Sequence, residues 1–282
     1  YNYALTTYET TTAFGESVKA FEQFIAEFPN SKHADQAYDY LSTVYLTSKN
    51  YRAAYESVSK IKKLNPKLLE TKQYLEYQLG TEAFAASNYP KATDFFTKAL
   101  TTAPNTKNIT DIYFWRAESN YRTKDFAKSE SDLLAYFNQP NVAKNQNYLQ
   151  ALYSLGYAYF GQKKYNEALN WFLKYVNLEN KISTSVYSDA LNRIGDIHFH
   201  SRNFDKATEY YDKANSSSSY NGDYALFQSA YTSGLQKNYN LKISKLEQLM
   251  TKYPGSEYGD DALYEIARAY LMLENDNKAI VT

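Results

Sequence analysis

Apolar and aromatic positions recur along the chain with the spacing of an α-helix, and the same local pattern returns at a longer interval. In one copy, Tyr165, Ala168, Phe172 and Tyr175 lie three or four positions apart, which places them on one face of a helix. We call the aromatic residue that opens each copy the anchor. The anchors are Phe14, Tyr51, Tyr89, Phe126, Tyr165, Phe204 and Tyr239, at intervals of 37, 38, 37, 39, 39 and 35 residues.

Each anchor is followed three positions later by a small residue and seven positions later by an apolar or aromatic residue. The small positions are Ser17, Ala54, Ala92, Ser129, Ala168 and Ala207, and the last copy departs from the pattern with Lys242. Because a lysine is large, we expect looser packing in the unit after Asn221.

A second small position lies nine residues before each anchor. It holds Ser42, Gly80, Ala117, Gly156, Gly195 and Ala230, with Leu5 in the first copy. Small residues on two facing helices allow a close approach, so each unit is predicted to be an antiparallel helical pair that stacks on the next pair. Pro29, Pro66, Pro104 and Pro254 follow fifteen residues after an anchor, where a proline is expected to end the second helix.

These residues resemble the tetratricopeptide repeat family, whose signature is a helix–turn–helix unit with Leu-Gly, Tyr, Ala, aromatic and Pro at matching offsets. Leu79-Gly80, Ala92, Phe96 and Pro104 fit the signature, as do Leu155-Gly156, Tyr159, Ala168 and Phe172. The resemblance covers essentially the whole chain. It implies an all-α solenoid, a right-handed superhelix of about seven and a half repeats.

Two joints between units read Phe28-Pro29-Asn30-Ser31 and Tyr253-Pro254-Gly255-Ser256. The serines are expected to cap the next helix. This Phe/Tyr-Pro-x-Ser variant is similar to repeats of bacterial cell-envelope proteins, including outer-membrane assembly lipoproteins of the BamD type. The similarity implies a periplasmic or outer-membrane location, and a cytoplasmic location stays open.

No shift in composition marks a second domain, so residues 1–282 are expected to form one repeat domain. Residues 138–147 and 215–223 are predicted to be long turns between units. Tyr1 and Thr282 both fall inside predicted repeats. We therefore expect a fragment of a longer protein, with apolar surfaces near Tyr1 and near Ala279-Ile280 that favour end-to-end self-association.

Charge and composition exclude several classes of function. The 31 basic and 31 acidic residues balance, which argues against nucleic acid as a partner. No apolar run is long enough for a transmembrane helix. The chain has no Cys, so thiolate zinc sites and cysteine nucleophiles are absent, while 31 Tyr and 15 Phe can supply a core despite a mean hydropathy of −0.64.

No motif for catalysis or for a cofactor emerges. His198 and His200 lie two residues apart on a predicted helix and point in different directions, so we interpret them as packing or solvated residues. Residues 274–277 are rich in oxygen ligands but lack the glycine and the distant glutamate of a calcium loop. The sequence contains no phosphate-binding loop, nucleophile elbow or zinc helix. We expect a protein that is not an enzyme and holds no cofactor or metal.

The strongest functional candidate is a row of residues three positions before the second small position, the one nine residues before each anchor, and we call it the inner row. It reads Asp39, Tyr77, Phe114, Tyr153, Asn192, Phe227 and Tyr264, and Tyr157 and Tyr231 lie four residues further on in two units. In the resembled family these positions line the concave surface. The prediction is a protein-interaction scaffold that binds a peptide or partner protein through Tyr77, Phe114, Tyr153, Tyr157, Phe227, Tyr231 and Tyr264.

Other interpretations of the same rings stay open. They can stack against sugars as a glycan-binding module of an outer-membrane uptake system, they can pack between neighbouring helices, or the chain can be a structural spacer. The family's carboxylate clamp is disfavoured, since Asp39, Tyr77, Phe114 and Tyr153 occupy the positions where it needs lysine. A binding role predicts that replacing Tyr153 and Tyr157 by alanine leaves thermal stability nearly unchanged.

Overall fold

The computed structural model describes residues 1–10, 15–103, 106–217 and 220–282. These residues form α-helices joined by turns, and no β-strand occurs in the ranges just given. The chain divides into two units, residues 1–144 and residues 145–282. The anchor Phe14 and the repeat proline Pro104 lie outside the described residues.

Unit 1 contains four helical pairs followed by a short 3₁₀ helix. The helices are α1 (Asn2–Thr10), α2 (Gly15–Glu27), α3 (Ala34–Thr47), α4 (Tyr51–Lys60), α5 (Pro66–Ala85), α6 (Tyr89–Thr102), α7 (Ile109–Arg122) and α8 (Phe126–Phe137), and the 3₁₀ helix is Val142–Lys144. Each helix packs against the next one along the chain.

Unit 2 repeats this arrangement. Its helices are α9 (Tyr148–Gly161), α10 (Tyr165–Leu178), α11 (Ser185–His200), α12 (Phe204–Ser217), α13 (Gly222–Leu235), α14 (Tyr239–Lys252), α15 (Gly259–Met272) and α16 (Asp276–Val281). Here too, each helix contacts its successor. The predicted all-α solenoid of tetratricopeptide type is therefore confirmed as the fold class.

The helices of a pair meet at a small residue on the first helix and a ring on the second. A Cβ atom added to Gly80 would lie 2.5 Å from the Phe96 ring, and the same contact recurs between Gly156 and Phe172 at 2.7 Å. In the next repeat, Gly195 faces Tyr211 in the same way at 2.6 Å. The rings fill the space that the missing side chains leave. The predicted close approach of the two helices is therefore made by a small residue against a ring, and not by the two small positions facing each other.

The seven turns inside the pairs from α3–α4 onwards share one geometry. Between α3 and α4, the Asn50 amide donates to the Tyr45 carbonyl and the Lys49 amide donates to the Leu46 carbonyl, which is a Schellman motif. The residue at the Lys49 position has a φ between 58° and 62° in seven turns, at Lys49, Ser87, Lys124, Lys163, Arg202, Lys237 and Glu274. Before α4, α6, α8 and α16 the next residue caps the second helix with its side chain, as Asn50 does by accepting from the Ala53 amide.

Several predicted boundaries differ from the structure. Pro66 does not end a second helix but begins α5 at a position where the missing amide hydrogen has no cost, while α4 already ends at Lys60. Ser31 and Ser256 lie before α3 and α15 and accept from the amides of His33 and Tyr258, so they order the preceding turn rather than cap the helix.

Three further details are corrected at the ends of repeats. In α1, Ala4 is the buried residue and Leu5 is half-buried, so the first small slot is shifted by one position. Residues 215–217 belong to α12, which shortens the turn predicted for 215–223, and Gly222 already begins α13. The stretch from 138 to 147 includes the short 3₁₀ helix.

Candidate functional site

The aromatic residues of the inner row lie on the first helix of their pairs, as predicted, but they differ widely in exposure. Phe114 on α7 is only 2% exposed, because its ring contacts Trp115 and Tyr136. It is part of the core and cannot offer a surface ring to a partner. Tyr77 on α5 is half-buried against Phe96, and burial together with the charge of Asp111 raises the pKa of Tyr77 to about 12.

Tyr153 and Tyr157 on α9 are held by hydrogen bonds and by ring packing. Both hydroxyls donate to the same Oδ2 of Asp189 on α11, with 2.8 Å for Tyr153. Both rings pack on Phe172, at centroid distances of 6.1 and 5.3 Å. Burial and the charge of Asp189 raise the pKa of Tyr157. Because of these contacts we expect removal of the two rings to lower stability, whereas the sequence analysis predicted almost no change.

Asp189 belongs to a larger polar network on α11. The Arg193 guanidinium donates to Asp196 at 2.7 Å and lies between the rings of Phe160 and Tyr224. The hydroxyls of Tyr211 and Tyr224 both donate to Oδ1 of Asp196, at 2.8 and 2.6 Å. Burial raises the pKa of Asp196 although these donors and Arg193 oppose the shift.

The remaining predicted rings lie on α13 and α15. Phe227 stacks on Tyr258 at 5.1 Å and is half-buried. Tyr231 is 36% exposed and contacts Phe199, while Tyr264 is 64% exposed with the Arg268 guanidinium above its ring. Of the seven predicted residues, Tyr231 and Tyr264 thus present the most accessible rings.

A cavity of about 750 Å³ opens in unit 2, and we call it the turn cavity. Its lining includes none of the seven predicted residues, although Tyr231 contacts Phe199, which lines it. Its lining comes from three turns and the helices that flank them. The lining residues are Phe160, Tyr165, Asp196, Phe199, His200, Arg202, Phe204, Tyr211, Tyr224, Gln228 and Leu235. Its size and aromatic lining are typical of pockets that bind ligands.

The sequence analysis missed the rings at the mouth of this cavity. Phe160 and Tyr165 contact each other across the α9–α10 turn at 5.5 Å, and Phe199 and Phe204 do so across the α11–α12 turn at 5.8 Å. Both pairs consist of an anchor and the aromatic residue five positions before it. The same spacing brings together Phe84 with Tyr89 and Tyr121 with Phe126 in unit 1, so an aromatic residue five positions before the anchor was an available signal.

The predicted histidines behave as packing residues. His198 is 9% exposed and stacks on Tyr210, and burial lowers its pKa. His200 is exposed and lies 4.5 Å from the Tyr165 ring.

Within the described residues, no group of three or more metal-binding side chains is found. No helix of the described ranges combines the length and the apolar character that a membrane span needs.

Comparison with known proteins supports the class that the geometry defines. A model of the tetratricopeptide repeat matches residues 149–182 and 188–221, and a second tetratricopeptide repeat model matches residues 224–256. Unit 2 therefore carries tetratricopeptide repeats. No curated protein sequence matches the chain.

Solved structures show the same fold at low sequence identity. The C-terminal part of a TPR repeat-containing protein from Cytophaga hutchinsonii is 16% identical, with a TM-score of 0.55 over 93% of this chain and 98% of that one. The apo form of RapI is 15% identical, with a TM-score of 0.56 over 99% of this chain and 82% of that one. PilF from Pseudomonas aeruginosa is 19% identical, with a TM-score of 0.51 over 79% and 93%.

Proposed function

We propose that the chain is a noncatalytic scaffold that binds a peptide or a partner protein. The observation that carries this proposal is the turn cavity, where six aromatic rings surround a space large enough for side chains of a partner. Rigid rings give contact area at a low cost in conformational entropy. Tetratricopeptide repeats supply the stacked helical pairs on which such a surface is built.

The glycan-binding alternative would use the same rings. Sugar hydroxyls need polar partners beside the stacking surface, and Asp196 is the carboxylate in the lining. Its oxygens already accept from Tyr211, Tyr224 and Arg193. The cavity therefore offers a sugar few unused acceptors, which favours a peptide ligand.

The decisive experiment is a selection of random peptides on the immobilised chain, followed by binding measurements in solution. We expect enriched peptides to bind the wild-type chain and to bind more weakly to Tyr231→Ala. This substitution removes an exposed ring that contacts Phe199, a residue of the cavity lining. A selection that enriches nothing, together with binding on a glycan array, would replace this proposal by the alternative. Failure of both assays would leave the role of a structural spacer.

Two broader expectations from the sequence also stay proposals. The joints of the Phe/Tyr-Pro-x-Ser type support a location in a bacterial cell envelope, which fractionation of cells that express the full-length gene can test.

We also propose that residues 1–282 form one repeat domain. A single cooperative unfolding transition followed by probes in both units would support this organisation, and two separate transitions would contradict it.

Self-association through exposed apolar side chains is proposed as well. Leu271, Met272 and Ile280 in the last helical pair are 54%, 61% and 82% exposed. Light scattering should show association that grows with concentration and that weakens in Met272→Lys. A monomer at all concentrations would contradict it.

A further inference from the structure

The turn cavity lies beside three successive turns of unit 2. The residues at the helix ends that flank these turns set its chemistry. Phe160 and Tyr165 flank the first turn, Phe199 and Phe204 flank the second, and Leu235 ends the helix before the third. Each of these side chains is half-buried or exposed, and Leu235 is 47% exposed. The mouth of the cavity is therefore an apolar ring of side chains that remains accessible to a ligand.

The acidic group in the lining is neutralised by its neighbours. Asp196 accepts hydrogen bonds from Tyr211 and Tyr224 and forms an ion pair with Arg193. A carboxylate with three donors in place has little to gain from a cationic ligand. The hydrogen-bonded side chains of Tyr211 and Tyr224, rather than an unpaired negative charge, line this side of the cavity, which suits an apolar or aromatic side chain of a ligand.

The same three turns carry positive charge at their tips. Lys163, Arg202 and Lys237 are exposed, and each occupies the left-handed position of its Schellman motif, with φ of 61°, 58° and 62°. Within the part of the chain that the structure describes, none of the three forms an ion pair. Arg202 lines the cavity itself, and the other two cations lie within three residues of lining side chains.

The backbone geometry makes these cations informative. A non-glycine residue at positive φ carries a conformational cost that glycine does not, and a cation near a helix C-terminus is stabilised by the helix dipole. The dipole explains the sign of the charge but leaves all three groups without a counterion. The acidic residue nearest to Arg202 in sequence is Asp205 in the first turn of α12, and its Oδ1 accepts a hydrogen bond from the Gln236 side-chain amide at 2.6 Å.

We propose that the turn cavity binds an acidic peptide segment that inserts one aromatic or large aliphatic side chain between the rings of Phe160, Phe199 and Phe204. Its flanking carboxylates pair with Lys163, Arg202 and Lys237. This inference rests on the proposed function and specifies the chemistry of the partner. Opposite charge around an apolar anchor gives both the rate of encounter and the orientation of the segment.

The test uses fluorescence anisotropy with three labelled peptides of about ten residues, each long enough to cross the cavity and reach the flanking turns, at about 33 Å when extended. One peptide carries a central Phe among Asp and Glu, the second has Ala in place of Phe, and the third has Lys and Arg in place of the acids. We expect the first to bind about tenfold more tightly than the other two, with an affinity that falls as salt rises.

Variants of the chain assign the binding to this cavity. Arg202→Glu and Lys163→Glu should each weaken the acidic peptide about tenfold, because each replaces an attraction by a repulsion. Leu235→Ala removes part of the apolar mouth and should weaken the peptide with Phe more than the peptide with Ala. The matched control is Lys124→Glu, which has the same turn position in unit 1 with φ of 62° and should leave the affinity unchanged.

The outcomes separate this inference from the proposed function. If random peptides are enriched on the chain but are not acidic, or bind Arg202→Glu as well as the wild type, the cavity chemistry proposed here is wrong while the scaffold role stands. If no peptide of any composition binds, both proposals fail. Circular dichroism melting of each variant establishes that a lost affinity is not a lost fold.

Discussion

At the scale of single residues, the repeat depends on an absent side chain facing a large one. Gly156 has no Cβ where the Phe172 ring lies, and Phe172 itself is fully buried. The glycine therefore costs some helix propensity but allows the ring to fill the space between two helices. Ser42, Ala117 and Ala230 occupy the same slot in other repeats, and all three are buried. A small residue is therefore what the slot requires.

We predict that Gly156→Ala destabilises the protein by about 1–3 kcal/mol, because the added methyl group would stand 2.7 Å from ring atoms that are packed on all sides. The matched control is Gly259→Ala, since a Cβ there meets nothing within 4 Å. It should change stability by less than about 0.5 kcal/mol. Chemical denaturation measures both. Equal effects of the two substitutions would show that the ring contact is not what selects glycine.

Tyr153 and Tyr157 show how a ring on a candidate binding face can also hold the fold. We predict that replacing both by alanine costs about 2 kcal/mol or more, because Asp189 loses two hydrogen-bond donors and Phe172 loses two packed rings. Tyr157→Phe keeps the ring and should cost about 1 kcal/mol.

Thermal and denaturant unfolding test this prediction. Tyr264→Ala serves as the comparison, because Tyr264 is 64% exposed and its removal should leave stability within about 0.5 kcal/mol of the wild type. If the double variant is as stable as Tyr264→Ala, the rings are free for binding as the sequence first indicated.

At the scale of helical elements, the contact between α14 and α15 uses charge where other repeats use a small residue. Lys242 takes the place of the alanine, and Gly234 on α13 accommodates it, since a Cβ on Gly234 would lie 2.8 Å from Cδ of Lys242. The Lys242 ammonium pairs with Glu265 on α15, and Arg268 pairs with Glu265 at 2.7 Å. The lysine is 6% exposed, so the unit is tightly packed, contrary to the expectation of loose packing.

We predict that Lys242→Ala costs about 2 kcal/mol or more at neutral pH, because it leaves the buried Glu265 with one partner and opens a space beside Gly234. The control is Lys98→Ala, whose ion pair with Asp94 is exposed and should contribute less than about 0.5 kcal/mol. Denaturant unfolding of both variants provides the comparison. A null effect at Lys242 would mean that the ion pair does not hold the two helices together.

The same pair predicts a pH dependence with a definite sign. Burial favours the neutral form of Glu265, but hydrogen bonds from Lys242 and Arg268 outweigh burial and hold its pKa below the usual range. Its contribution to stability is therefore complete above the unfolded pKa, about 4.3, and is lost as the pH falls through the folded pKa. The difference in stability between wild type and Lys242→Ala should shrink in that acidic window. A difference that stays constant below the window would contradict this assignment.

At the scale of the whole molecule, helices within each unit contact their neighbours along the chain, so stability is expected to be a sum of local terms. We predict that Gly156→Ala lowers amide protection in α9, α10 and α11 and leaves protection in α3 to α6 unchanged. Hydrogen exchange measured by mass spectrometry resolves the two regions. Loss of protection that spreads evenly over both units would show that the effect of the substitution is not local.

The sequence by itself determined the period, the helical pairs and the residues that join them. Small slots at Gly80, Gly156 and Gly195 and rings seven positions after the anchors fall on fixed faces of helices, so spacing placed both on the buried side of a pair. That each glycine meets a ring was shown only by the structure. The end of each first helix could also have been found from the Asn or Asp that precedes many anchors, as Asn50 and Asp125 do.

Only the tertiary structure decided which aromatic residues are accessible. Phe114 and Tyr264 occupy the same position in the repeat, yet one is 2% exposed and the other 64%. Exposure depends on the side chains of the neighbouring helices, and those neighbours come from other repeats. The turn cavity likewise exists because three turns, each separated by a full repeat in sequence, are brought side by side by stacking. A period read from the chain fixes contacts inside a unit, whereas burial and cavities are set by what packs against it.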